Sequence, residues 1–237
     1  MSSNSLIKTI MLLLPLSFFV EGCGLIDKKA AYSGICSGTI TYRITYPASV
    51  DANPMSFLFP SEMKTAFEGT RQKSEFKNKL NLYKLEFIFG NNPDSTFALL
   101  KLLEKRMVVP ASGDAFVLPF MAFSPDRLSF INDSVKSIAG FDCKKAVYFT
   151  GRNDVQELSI WYTDQLGVEE PNRNTPFSEI PGIMLEFDVL YQGMQLHLEA
   201  ISVVSEAHPR EIFDVPANYE VSSITEIQAL IDSVISR

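Results

Sequence analysis

From Phe141 to Ser205 the chain reads FDCKKAVYFT (141–150), LSIWYT (158–163), PFSEIPGIMLEF (176–187) and a last long run that passes into ISVVSE (201–206). Apolar and polar residues alternate through these pieces, the period of a strand that turns one face to a core. Leu158, Ile160 and Tyr162 share a face, and Trp161 lies on the other, beneath a second layer. Pro181-Gly182 makes a tight turn into a strand in which Ile183, Leu185, Phe187 and Val189 oppose Met184, Glu186, Asp188 and Leu190. Tyr191-Gln192-Gly193 reads as a hairpin loop, with a return strand over Met194 to Ser205. There the alternation of Leu196, Leu198 and Ala200 passes to Ile201 and Val203, a phase slip that predicts a bulge or a surface buried on both faces. Short connections between such strands favour antiparallel pairing over a wound α/β sheet.

Working outward, GTITYRITYP (38–47) alternates from Thr39 to Tyr46 and stops at Pro47. EMKTAFEG (62–69) predicts a short helix stopped by Gly69, and Arg71 to Asn78 a solvent-rich strand. Tyr83, Leu85, Phe87 and Phe89 form an apolar row opposite Leu82, Lys84, Glu86 and Ile88, followed by a turn at Gly90 to Asp94. Ser95 to Met107 predicts an amphipathic helix, with a strand as the alternative because Leu99 and Leu102 widen the apolar stripe. Pro119 and Pro125 bracket FMAFS, which is either a loop packed on the core or a flap over an apolar cavity. Near the end, Ser223 and Glu226 have capping-box spacing before a helix whose Ile224, Ile227, Ile231 and Val234 share a face. The expected fold is mainly β: a curved antiparallel sheet or open half-barrel covered by short helices, in one domain over residues 36–237.

The amino terminus carries a different signal. Lys8 precedes an apolar stretch from Ile10 to Val20, too short for an ordinary spanning helix, and the stretch ends at Val20-Glu21-Gly22-Cys23. An aliphatic residue three before a cysteine and a small residue just before it are the features of a bacterial lipoprotein signal, although Glu21 replaces the usual small residue. Residues 1–22 are then a signal peptide, Cys23 takes the lipid, and 23–35 form a tether. An ordinary secretory signal or an uncleaved anchor is the alternative. Gly24 in place of an aspartate leaves no inner-membrane retention signal, so the outer membrane is the expected location.

The 237 residues carry a net charge of -7, unchanged by loss of Lys8 and Glu21 together. An acidic chain with short basic runs offers no footprint for nucleic acid and little for an anionic membrane surface. Cys36 and Cys143 either pair or stay separate buried thiols; a disulfide closing so long a loop stabilises by about 4 to 5 kcal/mol in the chain-entropy view.

SIAGFDCKKAVYF (137–149), WYT (161–163), PFSEIPGIMLEF and FDVPANYE (213–220) together resemble the DUF4412 and GLPGLI-type proteins of Bacteroidetes envelopes, with weaker likeness in GTITYRITYP. EIPGIM (179–184) keeps the central proline and glycine of the GLPGLI motif but not its flanks, which favours DUF4412. The resemblance implies a secreted or lipid-anchored protein with the architecture of LolA/LolB-type carriers, whose curved sheet and covering helices enclose an apolar cavity. It carries no catalytic set. Lining residues for such a cavity, or for a core in its place, are Tyr42, Tyr83, Phe87, Phe120, Phe123, Trp161, Tyr162 and Phe187.

Catalytic and metal chemistry find little purchase in the pattern. His197 lies in a strand-like run and His208 before Pro209, neither beside a carboxylate at ligand spacing. Glu186 and Asp188 read as a solvated face. Lys144 and Lys145 flank Cys143, but strand neighbours point to opposite faces, so they do not make it a nucleophile. No nucleophile elbow, phosphate loop or dinucleotide fingerprint occurs. The expectation is an envelope lipoprotein that is not an enzyme, has no cofactor or metal, and binds an apolar or amphipathic ligand; the alternative is a structural or assembly protein of the outer membrane with a packed core and a protein partner.

Overall fold

In β1 (Ser37–Thr45), Ile40, Tyr42 and Ile44 are buried while Arg43 and Thr45 face water, as their alternation requires. The computed structural model describes residues 34–235 other than 53, 55, 93, 94, 111–126, 152, 154, 174, 176, 192 and 193. After β1 and one helical turn, α1 (Ala48–Asp51), come β2 (Pro60–Glu68), β3 (Arg71–Asn78), β4 (Tyr83–Phe89), β5 (Thr96–Leu102) and β6 (Lys105–Pro110). They are followed by β7 (Leu128–Ile138), β8 (Phe141–Phe149), β9 (Glu157–Thr163), β10 (Ile183–Tyr191), β11 (Met194–Ser205), β12 (Glu220–Val221) and α2 (Ile224–Ile235). All of these elements belong to one unit, Ala31–Arg237.

The strands form one curved, unclosed sheet in the order β12-β6-β5-β4-β3-β2-β1-β11-β10-β9-β8-β7. Every pair is antiparallel except β12 on β6. The phase slip in β11 is a bulge: Tyr42 opposes Ala200 and Thr41 opposes Ser202, leaving Ile201 unmatched and exposed. A second irregularity in β10 passes over Leu185, between Met184 and Glu186.

Two expected helices are strands. EMKTAFEG lies in β2 and its turn, where Met63, Thr65 and Phe67 are buried at a spacing of two, and Gly69, at φ 58°, turns the chain into β3. Ser95 to Met107 is the β5–β6 hairpin. Its apolar residues mimic a wide helical stripe because the sheet is covered on both sides here. Ala98 and Leu100 pack in one cluster with Leu85, Phe87 and Ile227 of α2, while Leu99 packs in another with Ile88, Val108 and Tyr219.

The chain after β11 makes both covers. His208 donates Nε2–H to the Gly38 carbonyl at 2.9 Å, and Phe213 packs beneath the Arg71 guanidinium at 4.9 Å. Tyr219 donates to Glu86 at 3.3 Å, and β12 then pairs with β6. α2 starts on its capping box, with Ser223 N–H donating to Glu226 and Glu226 N–H to Ser223 Oγ. Ile227 is fully buried beneath it. The largest cluster lies across β1, β2 and β8–β11 and is filled by Leu166, Phe177 and Ile180 of the long β9–β10 connection.

Candidate functional site

Between the largest cluster and the one beneath α2 runs a groove of about 90 Å³. Phe76 of β3 belongs to the margins of both clusters. The sheet supplies Tyr42, Met63, Phe76, Phe87, Phe89 and Phe187, and the β9–β10 connection supplies Asn172 and Phe177. Alternation explains the aromatic wall: Phe76 and Phe87 meet edge to face at 5.9 Å across β3 and β4, and Phe187 of β10 meets Tyr42 at 6.0 Å and Phe177 at 6.3 Å.

Among the described residues, no charged side chain lines the groove. Its polar side chains bond to the protein itself. The Tyr42 hydroxyl donates to the Met184 carbonyl at 2.9 Å, and Gln72 Nε2 donates to the Pro171 carbonyl at 2.8 Å. Thr65 and Ser74 share a hydrogen bond at 2.9 Å. Asn172 Nδ2 donates to the carbonyls of Ile180 and Gly182 at 2.9 and 2.8 Å, folding the connection over the sheet. Burial pushes the Tyr42 hydroxyl far above the ordinary tyrosine range, so it stays neutral. The connection enters β10 at Gly182 because only glycine fits: an added Cβ would stand 2.3 Å from the Thr163 carbonyl oxygen.

A second grouping of polar residues spans β10, β11 and their neighbours. His197 Nδ1 lies 2.8 Å from Asp188 and Nε2 3.9 Å from Glu186, which also takes a bond from Lys136. Asp188 accepts from Ser159 N–H at 3.2 Å, and Arg43 pairs with Glu199 at 2.6 Å. The hydrogen bond to Asp188 holds His197 above its usual pKa against the opposing effect of burial, with Asp188, Glu186 and Glu199 adding attraction for the proton. Glu186 and Asp188, expected on a solvated face, are thus largely buried acids in an ion-pair ladder. Among the described residues, no group of three or more histidine, cysteine or acidic side chains is placed to hold a metal ion.

Of the residues anticipated as lining, Tyr42, Phe87 and Phe187 meet in the groove wall. Tyr83 packs at the margin of the cluster beneath α2, and Tyr162 is buried in the largest cluster against Phe130. Trp161 is partly buried, with the Lys136 and Lys145 ammonium groups 5.8 and 5.5 Å from its ring. Phe120, Phe123 and the rest of FMAFS lie outside the described residues, as does Cys23. Cys36 and Cys143 are both thiols, and burial pushes Cys143 up to about 11, which removes it as a nucleophile at neutral pH. Sequence reasoning missed Phe76, because its strand reads as solvent-rich, and Asn172 and Phe177, because their connection reads as polar. The signal for Phe76 was present: Gln72, Ser74 and Phe76 alternate.

The fold and site define an open, single-sheet β protein with an uncharged groove between two cores. No family model matches the chain, and no curated protein matches it. Among solved structures it is similar to an uncharacterized conserved protein from Thermus thermophilus, with TM-score 0.43 and 8% identity over 79% of this chain and 90% of that one. It is also similar to MucB, with TM-score 0.32 and 9% identity over 79% and 60%, and to LprF from Mycobacterium bovis, with 0.29 and 10% over 73% and 88%. Likeness this distant transfers no function.

Proposed function

We propose that the protein is a lipid-anchored component of the bacterial cell envelope that holds one apolar chain in the groove between its cores. The observation that carries this reading is the groove's chemistry: aromatic and methionine walls, no charge, and polar side chains bonded within the protein. Such a wall gains by covering hydrocarbon, at about 25 cal/mol per Å² removed from water, and has no charge with which to grip an ionic group. The lipoprotein pattern ending at Cys23 supports the envelope location and the outer membrane as its site. A resident small-molecule site usually has a volume of roughly 300–1,000 Å³. At about 90 Å³ the groove takes part of a chain, and the remainder of the ligand lies outside it.

That same small volume favours a second reading, a structural or assembly protein in which the groove is a packing gap. Native mass spectrometry separates the two. The Cys23→Ser chain, produced in the periplasm and purified without detergent, should carry a stoichiometric adduct of one apolar class, and Met184→Glu, which puts a charge in the wall, should lose it. A clean apo mass for the folded Cys23→Ser chain, or an adduct indifferent to Met184→Glu, defeats the groove reading in favour of the packed module.

A further inference from the structure

The β3–β4 and β5–β6 hairpins end side by side, because Tyr83 at the start of β4 pairs with Leu102 at the end of β5. Their tips read Lys77 to Lys84 and Lys101 to Arg106, with six cations and one acid, Glu104, in a chain whose net charge is -7. Lys77 and Lys84 are taken up by Glu75 and Glu86. Lys79, Lys101, Lys105 and Arg106 make no ion pair among the described residues. Between them stand leucines in water: Leu80 is 56% exposed, Leu82 39% and Leu103 70%. Leu103 also sits at φ 53°, a backbone region that a leucine occupies at a cost and a glycine would occupy freely. Neither hydration nor backbone conformation accounts for a leucine at that position.

We propose that these two hairpin tips are a docking rim for an anionic lipid bilayer, with the leucines entering the interface and the four unpaired cations meeting phosphate headgroups. Small convex tips fit a bilayer better than a protein. A stable protein interface buries about 800 Å² on each side against a matching surface, which three separate leucines do not supply. A bilayer requires no shape match, and lysines beside inserted leucines extend their stems along hydrocarbon and keep the ammonium at the headgroups. The rim lies at the end of the sheet away from Gly38 and the start of β1, since β1 pairs Gly38 with Phe67 and β2 pairs Phe67 with Gln72, far along β3 from Asn78. β1 therefore starts at one end of the sheet and the rim projects from the other. The inference is independent of the groove and stands if no groove ligand exists.

Flotation tests it. Residues 24–237, which contain every described strand and all three clusters, are mixed with vesicles of phosphatidylcholine alone or with phosphatidylglycerol added. The protein should float with the anionic vesicles only, and lose binding as salt rises. Each headgroup-facing cation contributes about fivefold, so Lys79→Glu, Lys101→Glu and Lys105→Glu combined should weaken binding by roughly a hundredfold or more. Leu80→Ser with Leu103→Ser should weaken it at least about tenfold, while Lys145→Glu, on β8, should leave it unchanged. All variants are to melt cooperatively before flotation, and the salt titration of the unsubstituted chain stands as a reading that needs no variant. No flotation with either vesicle, equal flotation with both, insensitivity to both rim variants, or a rim that captures an acidic protein in place of vesicles overturns the proposal.

Discussion

The His197 ladder makes a prediction with a definite sign. His197 gains a carboxylate partner on folding, so its pKa is higher in the folded chain than in the unfolded chain, where it is about 6.5. A raised pKa means that the folded state binds the proton more tightly, so the stabilisation is complete below about pH 6.5 and fades as pH rises through the higher folded value. The charge balance agrees. Protonated His197 with Lys136 and Arg43 matches Glu186, Asp188 and Glu199, and loss of the proton leaves one carboxylate in excess at two largely buried acids. The His197 side chain is 41% exposed, so solvent screening holds the contribution to about 1 kcal/mol rather than the full value of a buried charged hydrogen bond. In a domain of this size that is about 2 to 4 °C of melting temperature. The measurement is a pair of melting curves, for the native sequence and His197→Gln, at pH 5.5 and at pH 8.5. Subtracting one protein from the other cancels the other titrating groups, and the advantage of histidine over glutamine should shrink by those few degrees on going to pH 8.5. Parallel pH profiles, or an advantage that grows with pH, would refute the ladder as described.

Three further perturbations follow from the geometry. Gly182→Ala drives a methyl group to 2.3 Å from the Thr163 carbonyl, so β10 must shift; a loss of about 2 kcal/mol or more in denaturant melts is expected. Ser223→Ala removes the α2 cap and should cost about 1 kcal/mol by the same assay, with helical signal lost first. In a Cys23→Ser, Cys36→Ser chain, Cys143 should resist a thiol reagent at pH 8 until denaturant is added, and the Cys23→Ser chain should titrate as two thiols in denaturant without reductant; a single-step loss of both thiols to a disulfide would contradict the structure.

What the sequence displays and what it hides divide along burial. Where a strand has one wetter face, its alternation is legible: β1 and β9 follow from spacing alone, and the phase slip near Ile201 narrows to a bulge or a doubly buried surface. Where both faces are covered, period two disappears. Ala98, Leu99 and Leu100 are all buried because α2 and the chain around Tyr219 cover opposite faces of β5, and no local pattern reveals covers that come more than a hundred residues later. The β2 error has another cause, a good helix composition around Ala66 that was overridden by the buried Met63, Thr65 and Phe67. The groove was half legible: Tyr42, Phe87 and Phe187 stand out as aromatics on apolar rows, but Asn172 enters only through its bonds to Ile180 and Gly182.

Among the described residues the groove lies between two cores, each with its own cover. The β9–β10 connection fills the face of β1, β2 and β8–β11 with Leu166, Phe177 and Ile180, and α2 fills the face of β4–β6 with Ile227. At the boundary, Phe76 packs against both cores and stays only partly buried. The width of this seam is therefore set by how the connection is held: Gln72 bonds Pro171 and Asn172 its own strand entrance at the groove, while Arg173 on the Thr70 and Asn91 carbonyls and Glu169 N–H on Gly69 tie it further along. Gln72 is 6% exposed, so an apolar replacement at that site leaves the Pro171 carbonyl to find another donor in the groove. Gln72→Leu should then loosen the connection rather than the sheet. Amide exchange should quicken over residues 166–182 while the β4–β5 amides keep their protection, and uptake of an apolar probe should change in the same variant. Uniform loss of protection across the sheet would show instead that Gln72 is an ordinary core residue and that the seam has no separate freedom.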